Sequence, residues 1–277
     1  MSLDSALNMS IWEAVIVGIV QGLAEFLPIS SSGHIVLTQF LLGIDEADLA
    51  FEVILHLGTL VSVLIFFRKS LWALCRSLWT ADMKEERMMI FWLGVATVPA
   101  VVAYKLFGKE FDAAYTNPVL VSGLLIVTGL VLFVPRFIKG SLSKIGAKSS
   151  LLMGVGQALA ILPGISRSGS TIAAGLVSGV KAEKAAEFSF LMSIPAIGGG
   201  FILTLKKRAD EMDSWGKAID SCLDKSYLWG AFASAVVGLL AIYLVMGAVK
   251  KGKLEYFSYY LFAAGIAGMI YFTMNPV

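Results

Sequence analysis

The chain has 277 residues, 57% of them hydrophobic and only 15% charged, with a formal net charge of +2 and a mean hydropathy of +0.80. Soluble domains carry roughly 25% charged residues, so this composition excludes an ordinary soluble globular protein and points to a polytopic membrane protein with helical spans. The two cysteines, Cys75 and Cys222, exclude a disulfide framework and a thiolate metal cluster.

Met1–Ser10 contains Asp4 and no Lys or Arg. It lacks the basic start of a signal peptide, so the first apolar segment is expected to stay in the mature protein. Next comes Gln21-Gly-Leu-Ala-Glu-Phe-Leu-Pro-Ile-Ser-Ser-Ser-Gly-His34, set between the apolar runs Ile11–Val20 and Ile35–Leu42. Polar residues in such surroundings are costly and mark a site. Val53–Phe67 reads as a span ending at Arg68-Lys69, followed by a mixed-charge loop with Arg76, Lys84 and Arg87. Met88–Phe107 and Pro118–Val134 read as further spans. A basic loop with Arg136, Lys139, Lys144 and Lys148 follows, then Leu151–Leu162, which is too short to cross a bilayer. A second polar interruption, Pro163-Gly-Ile-Ser-Arg-Ser-Gly-Ser-Thr171, comes next. Phe188–Leu205 is a span ending at Lys206-Lys207-Arg208, Asp210–Lys225 reads as a polar loop, and Tyr227–Val249 and Tyr256–Met274 are the last two spans.

The two interruptions resemble each other. Gln21 to Gly33 aligns with Gln157-Ala-Leu-Ala-Ile-Leu-Pro-Gly-Ile-Ser-Arg-Ser-Gly169 at a constant offset, and three spans follow each copy. The expected architecture is therefore a single all-α transmembrane domain over residues 1–277. It contains repeat 1 (about 11–135) and repeat 2 (about 150–275), with six transmembrane helices and two re-entrant helical hairpins. A broken segment plus three crossings per unit makes the second unit enter from the opposite side, an inverted-topology repeat. Fourteen Lys and Arg fall on the side holding the loops after Phe67, Val134, Gly179 and Val249, against seven on the other. The positive-inside rule makes the first side cytoplasmic, so the first broken segment faces outward.

Gln21 and Glu25, four residues apart, share a helical face. They offer an amide oxygen and a carboxylate to a hard cation such as Mg²⁺ or Ca²⁺; alternatively Glu25 acts as a general base, or the pair merely packs. Ser30-Ser31-Ser32-Gly33 and Ser166-Arg167-Ser168-Gly169-Ser170-Thr171 read as turns into helices, whose N-termini bind anions or are simply capped by the hydroxyls. Arg167 favours an oxyanion, because a guanidinium stays charged and fits phosphate oxygens; a salt bridge to Glu25 is the competing reading. His34 can share a face with Ser30 or Ser31, giving a nucleophile with a base. His56 and Glu52 lack such company and read as ordinary span residues.

These two interruptions, with Phe51-Glu52, Ala186-Glu-Phe-Ser-Phe-Leu191 and Ile194-Pro195, resemble the undecaprenyl-diphosphate phosphatase family of the bacitracin-resistance type. The likeness covers essentially the whole chain. It implies an integral protein of the bacterial cytoplasmic membrane with an inverted repeat and two re-entrant hairpins. Such proteins hydrolyse undecaprenyl diphosphate to the monophosphate and inorganic phosphate at an outward-facing site, recycling the carrier for peptidoglycan synthesis. By the same resemblance Glu25 is the essential acid of the E/Q-x-x-x-E motif, Ser31 the proposed nucleophile, His34 the essential histidine and Arg167 the phosphate-binding arginine. Ser166 and Thr171 stand near the phosphate, with Ser30, Ser32, Gly33, Ser168 and Gly169 completing the expected cradle. Many members have Glu where this chain has Gln21, a weaker cation ligand, which leaves Glu25 to carry that role alone. Expected partners are the polyprenyl diphosphate and membrane lipids, with no nucleic acid; a homodimer is compatible with the chain. The rival class is a transporter or polyprenyl-phosphate flippase, because inverted repeats with broken helices also suit transport.

Overall fold

The computed structural model describes residues 9–42, 49–138 and 140–275; the N-terminal reading around Asp4, and Lys139 in the charge count, lie outside them. Regular structure among the described residues is helical, and five helices are long and apolar enough to cross a membrane, or six when one bent pair counts as a span. This is a multi-pass membrane protein.

The chain opens with α1 (Ile11–Phe26), whose start is fixed by a capping box: the Ser10 hydroxyl accepts from the Glu13 amide while the Glu13 carboxylate accepts from the Ser10 amide. Pro28 prevents its continuation. Ser30 then takes a φ of 73°, a left-handed conformation that costs a residue with a Cβ roughly 1–3 kcal/mol. From it the chain turns into α2 (Ser31–Leu42). The second broken segment follows the same plan, with α7 (Ala147–Leu159), a turn through Gly164 at φ 99°, and α8 (Arg167–Val177) capped by Ser166.

After each broken segment come a long helix, a short amphipathic helix and two more long helices. In the first half these are α3 (Leu49–Phe66), α4 (Arg68–Ser77), α5 (Lys84–Ala114) and α6 (Pro118–Phe133). In the second they are α9 (Ala182–Glu211), α10 (Trp215–Cys222), α11 (Lys225–Lys250) and α12 (Glu255–Met274). Five of the expected spans are thus present as single helices and the one at Val53–Phe67 only when α3 and α4 count as one bent span, and the stretches read as loops after Phe67 and at Asp210–Lys225 contain helices. α4 bends 78° away from α3, burying Leu74 and Ser77 while Trp72 and Trp79 stay exposed beside Arg68, Lys69 and Arg76. α10 likewise buries Ala218 and Cys222 and exposes Trp215. The polar composition that suggested loops is that of helices with only one narrow apolar face.

The helices pack across the halves. α1 lies along α11, α7 along α5, α6 against α12, and α3 touches both α9 and α11. Small residues allow the closest of these approaches, as is usual where lipid offers no hydrophobic drive. A Cβ on Gly18 of α1 would come within 2.2 Å of the Gly230 carbonyl oxygen of α11, and one on Gly58 of α3 within 2.3 Å of the Ala231 carbonyl oxygen. Gly18→Ala is therefore expected to cost about 1–3 kcal/mol through overpacking, read as a lower unfolding temperature in detergent. Gly94→Ala, where an added methyl meets nothing within 4 Å, is expected not to lower it.

Candidate active site

The two turns abut. The Ser30 hydroxyl accepts from the Gly33 amide at 3.3 Å, capping α2, and from the Gly164 amide of the other turn at 3.2 Å. The Ser168 hydroxyl donates to the Leu27 carbonyl at 3.3 Å. Thr128 on α6 holds the second turn from below: its hydroxyl donates to the Gly164 carbonyl at 2.7 Å and accepts from the Ser166 amide at 3.1 Å. A Cβ on Gly33 would sit 3.0 Å from the Gly164 Cα, so glycine here is what lets the turns touch. The N-termini of α2 and α8 are thereby brought to one place, and their first N–H groups have no acceptor within their own helices.

Glu25, at the end of α1, is the hub of the side-chain network. Its Oε1 is paired with the Arg167 guanidinium. Its Oε2 accepts from the Ser31 hydroxyl at 2.7 Å and from the Gln21 amide nitrogen at 3.2 Å. His56 Nε2 on α3 stands 3.5 Å from the same oxygen, within ion-pair range but long for a hydrogen bond. Arg167 also donates from Nη1 to the Ser189 carbonyl of α9 at 3.1 Å. Glu25 and Arg167 retain only 6% and 15% side-chain exposure, which makes this a buried pair in which each charge answers the other's desolvation.

The expected site residues divide into groups. Glu25, Ser31 and Arg167 are in direct contact. Ser30 and Ser166 serve as caps, their hydroxyls accepting from the Gly33 and Gly169 amides at 3.3 and 3.1 Å. Ser32 lies 3.4 Å from the Ser30 hydroxyl. Thr171 faces the other way, donating to the Arg167 carbonyl at 2.7 Å and lying 2.6 Å from the Ser189 hydroxyl.

His34 does not meet Ser31 through a hydrogen bond. Its Nδ1 is 2.8 Å from the Ser30 carbonyl and its Nε2 is 2.7 Å from the Tyr260 hydroxyl of α12. The imidazole beside Glu25 is His56, which sequence reasoning had read as an ordinary span residue. Nothing in its local spacing signals this role, because the contact depends on how α3 crosses α1. Tyr260, Thr128 and Ser189 likewise carry no local signal in the sequence, their contacts being made between distant elements.

Gln21 and Glu25 offer a cation a single open oxygen in this arrangement, Gln21 Oε1. A hard cation needs open oxygen ligands, yet both carboxylate oxygens already hold donors, and Gln21 turns its amide nitrogen to the carboxylate. Gln21 Oε1 is buried without a hydrogen-bond partner. Among the described residues no group of three or more His, Cys, Asp or Glu gathers to hold a metal. Mg²⁺ or Ca²⁺ would have to bring most of its oxygen ligands with a substrate.

Comparison with known proteins agrees with the motifs. The family model described as bacitracin resistance protein BacA matches residues 14–267. The undecaprenyl-diphosphatase of Methanobrevibacter smithii is 39% identical over 93% of this chain and 96% of its own length. Those of Salinibacter ruber and Caldicellulosiruptor bescii are each 38% identical, covering 94% and 97% of this chain and 99% and 100% of theirs. With matches of this extent, and both broken segments inside them, the chain belongs to the BacA bacitracin-resistance family.

Proposed function

We propose that this protein hydrolyses undecaprenyl diphosphate to undecaprenyl phosphate and inorganic phosphate, as the names of its relatives indicate. The observation that carries the reading is the meeting of two helix N-termini around Arg167, with Ser31 hydrogen-bonded to Glu25 beside them. Two sets of N–H groups and a guanidinium form an anion site. Phosphoryl transfer needs chiefly this charge stabilisation and positioning. In the cycle we assign, Ser31 Oγ gives its proton to Glu25 and bonds the terminal phosphorus. The bond from that phosphorus to the bridging oxygen breaks, and the lipid leaves as its monophosphate. Water then attacks the phosphoserine, giving a proton to His34; the bond from phosphorus to Ser31 Oγ breaks, Ser31 is reprotonated from Glu25, and inorganic phosphate departs as His34 returns its proton to solvent.

The same reading places the protein in the bacterial cytoplasmic membrane as an inverted repeat with two re-entrant hairpins. Cross-packing of corresponding helices supports this, because α1 on α11 mirrors α7 on α5, and α6 with α12 and α3 with α9 are reciprocal pairs. The excess of Lys and Arg in the loops after Phe67, Val134 and Val249 supports an outward-facing first hairpin. The lipid tail would lie among the helices in the bilayer.

Proteoliposomes containing undecaprenyl diphosphate test the reading. Phosphate release is expected from the wild type and is expected to fall by a factor of roughly 10²–10⁴ in His34→Ala, the range for loss of a general base. Lipid movement across the bilayer without phosphate release would instead establish the transporter class.

A further inference from the structure

The Tyr260 hydroxyl has no place in the scheme above, yet it makes the only side-chain hydrogen bond recorded for His34 among the described residues. The acceptor facing Nδ1 fixes the tautomer of the neutral ring. The Ser30 carbonyl can only accept, so Nδ1 at 2.8 Å must carry the ring proton. In the neutral imidazole Nε2 then presents a lone pair, so the Tyr260 hydroxyl, 2.7 Å away, donates to it. The two rings also stack, with centroids 5.6 Å apart and planes 16° from parallel. Ser30 belongs to the same short helical turn as His34, and its carbonyl leaves the ring free to swing about that bond. Tyr260, on α12 at the far end of the chain, supplies the second fixed point.

We propose that Tyr260 is the positioning residue of His34, holding the imidazole in the Nδ1–H tautomer's pose with Nε2 as the nitrogen that accepts a proton. Nδ1 is committed to the Ser30 carbonyl, so Nε2 alone is available for chemistry. Tyr260 is 47% exposed, so its hydroxyl can turn aside when a phosphate and its attacking water arrive. The hydrogen bond thus orients Nε2 in the resting enzyme without closing it off. This assignment rests on the phosphatase reading, which gives His34 its proton, but the tautomer and the pose do not depend on it.

The chain has only two histidines, His34 and His56, so ¹⁵N-histidine labelling of the full-length protein in detergent or nanodiscs reads both rings directly. The His34 signals are identified by their loss in His34→Ala. In the wild type, His34 is expected as the Nδ1–H tautomer with a hydrogen-bonded, unprotonated Nε2. Tyr260→Phe keeps the ring and its stack but removes the donor. The Nε2 resonance is then expected to move toward that of an unbonded imine nitrogen while the tautomer stays the same. Phosphate release from undecaprenyl diphosphate is expected to show kcat about tenfold lower, the effect of one lost hydrogen bond, with KM within about twofold. A wild-type His34 protonated at Nε2 and bare at Nδ1 would overturn the proposal whether or not any variant folds. So would a Tyr260→Phe enzyme with unchanged kcat, or one in which KM alone rises. Absence of phosphate release from the wild type would instead count against the phosphatase reading, and the resonances would still decide the pose.

Discussion

Arg167→Ala is expected to lower phosphate release on the order of 10³-fold, the scale seen when a main stabiliser of transferring phosphoryl charge is removed. It is also expected to weaken the fold. Glu25 would be left almost fully buried with its guanidinium partner gone, and breaking a buried pair from one side costs about 3–5 kcal/mol. The two losses separate in a double variant. Adding Glu25→Gln removes the stranded charge, so much of the unfolding temperature should return while turnover does not. Arg167→Lys should recover little activity, because a single ammonium cannot span both Glu25 and the Ser189 carbonyl as the planar fork does. Wild-type turnover in Arg167→Ala would remove the anion site from the centre of the mechanism.

Ser31→Ala is expected to reduce turnover by roughly 10⁴-fold or more, as loss of a nucleophile does, with folding intact. Its hydroxyl makes one hydrogen bond, to Glu25, and Glu25 keeps Arg167 and Gln21 without it. Glu25→Gln leaves Ser31 without its proton acceptor and should cost about 10²–10⁴-fold. Because the two act as a unit, the double variant should be hardly slower than Ser31→Ala alone. Trapping with rapid acid quench should reveal phosphate covalently on the wild-type chain and none on Ser31→Ala. Retained turnover in Ser31→Ala would assign the attack to water or to His34.

The broken segments were legible in the sequence because their chemistry is local. Hydroxyls, a glycine and a proline inside apolar runs announce a turn wherever they sit, and their recurrence announces a second turn of the same kind. The contact between Gln21 and Glu25 followed from helical spacing alone. What sequence left open was whether Arg167 answers a phosphate or Glu25; the structure pairs it with Glu25, which any phosphate must then share. Contacts between distant elements were not legible. His56 reaches Glu25 only because α1 and α3 pack together, and Tyr260 reaches His34 across 226 positions of sequence. The helices α4 and α10 were not legible because a helix that buries only one narrow face needs few apolar residues, and a count of hydropathy reads it as a loop.

The crossing of α1 over to α11 has a consequence for how the protein is made. Gly18 finds Gly230 only after some two hundred further residues have left the ribosome, which at 5–20 residues per second takes roughly 10–40 s. Throughout that interval α1 is without the helix it will lie on, and for most of it Glu25 has no guanidinium, since Arg167 is itself 142 positions away. The nascent first half cannot therefore complete its site or shelter its carboxylate by itself. Separately expressed halves, cut between α6 and α7, should be unstable alone and gain activity only when made together in one membrane.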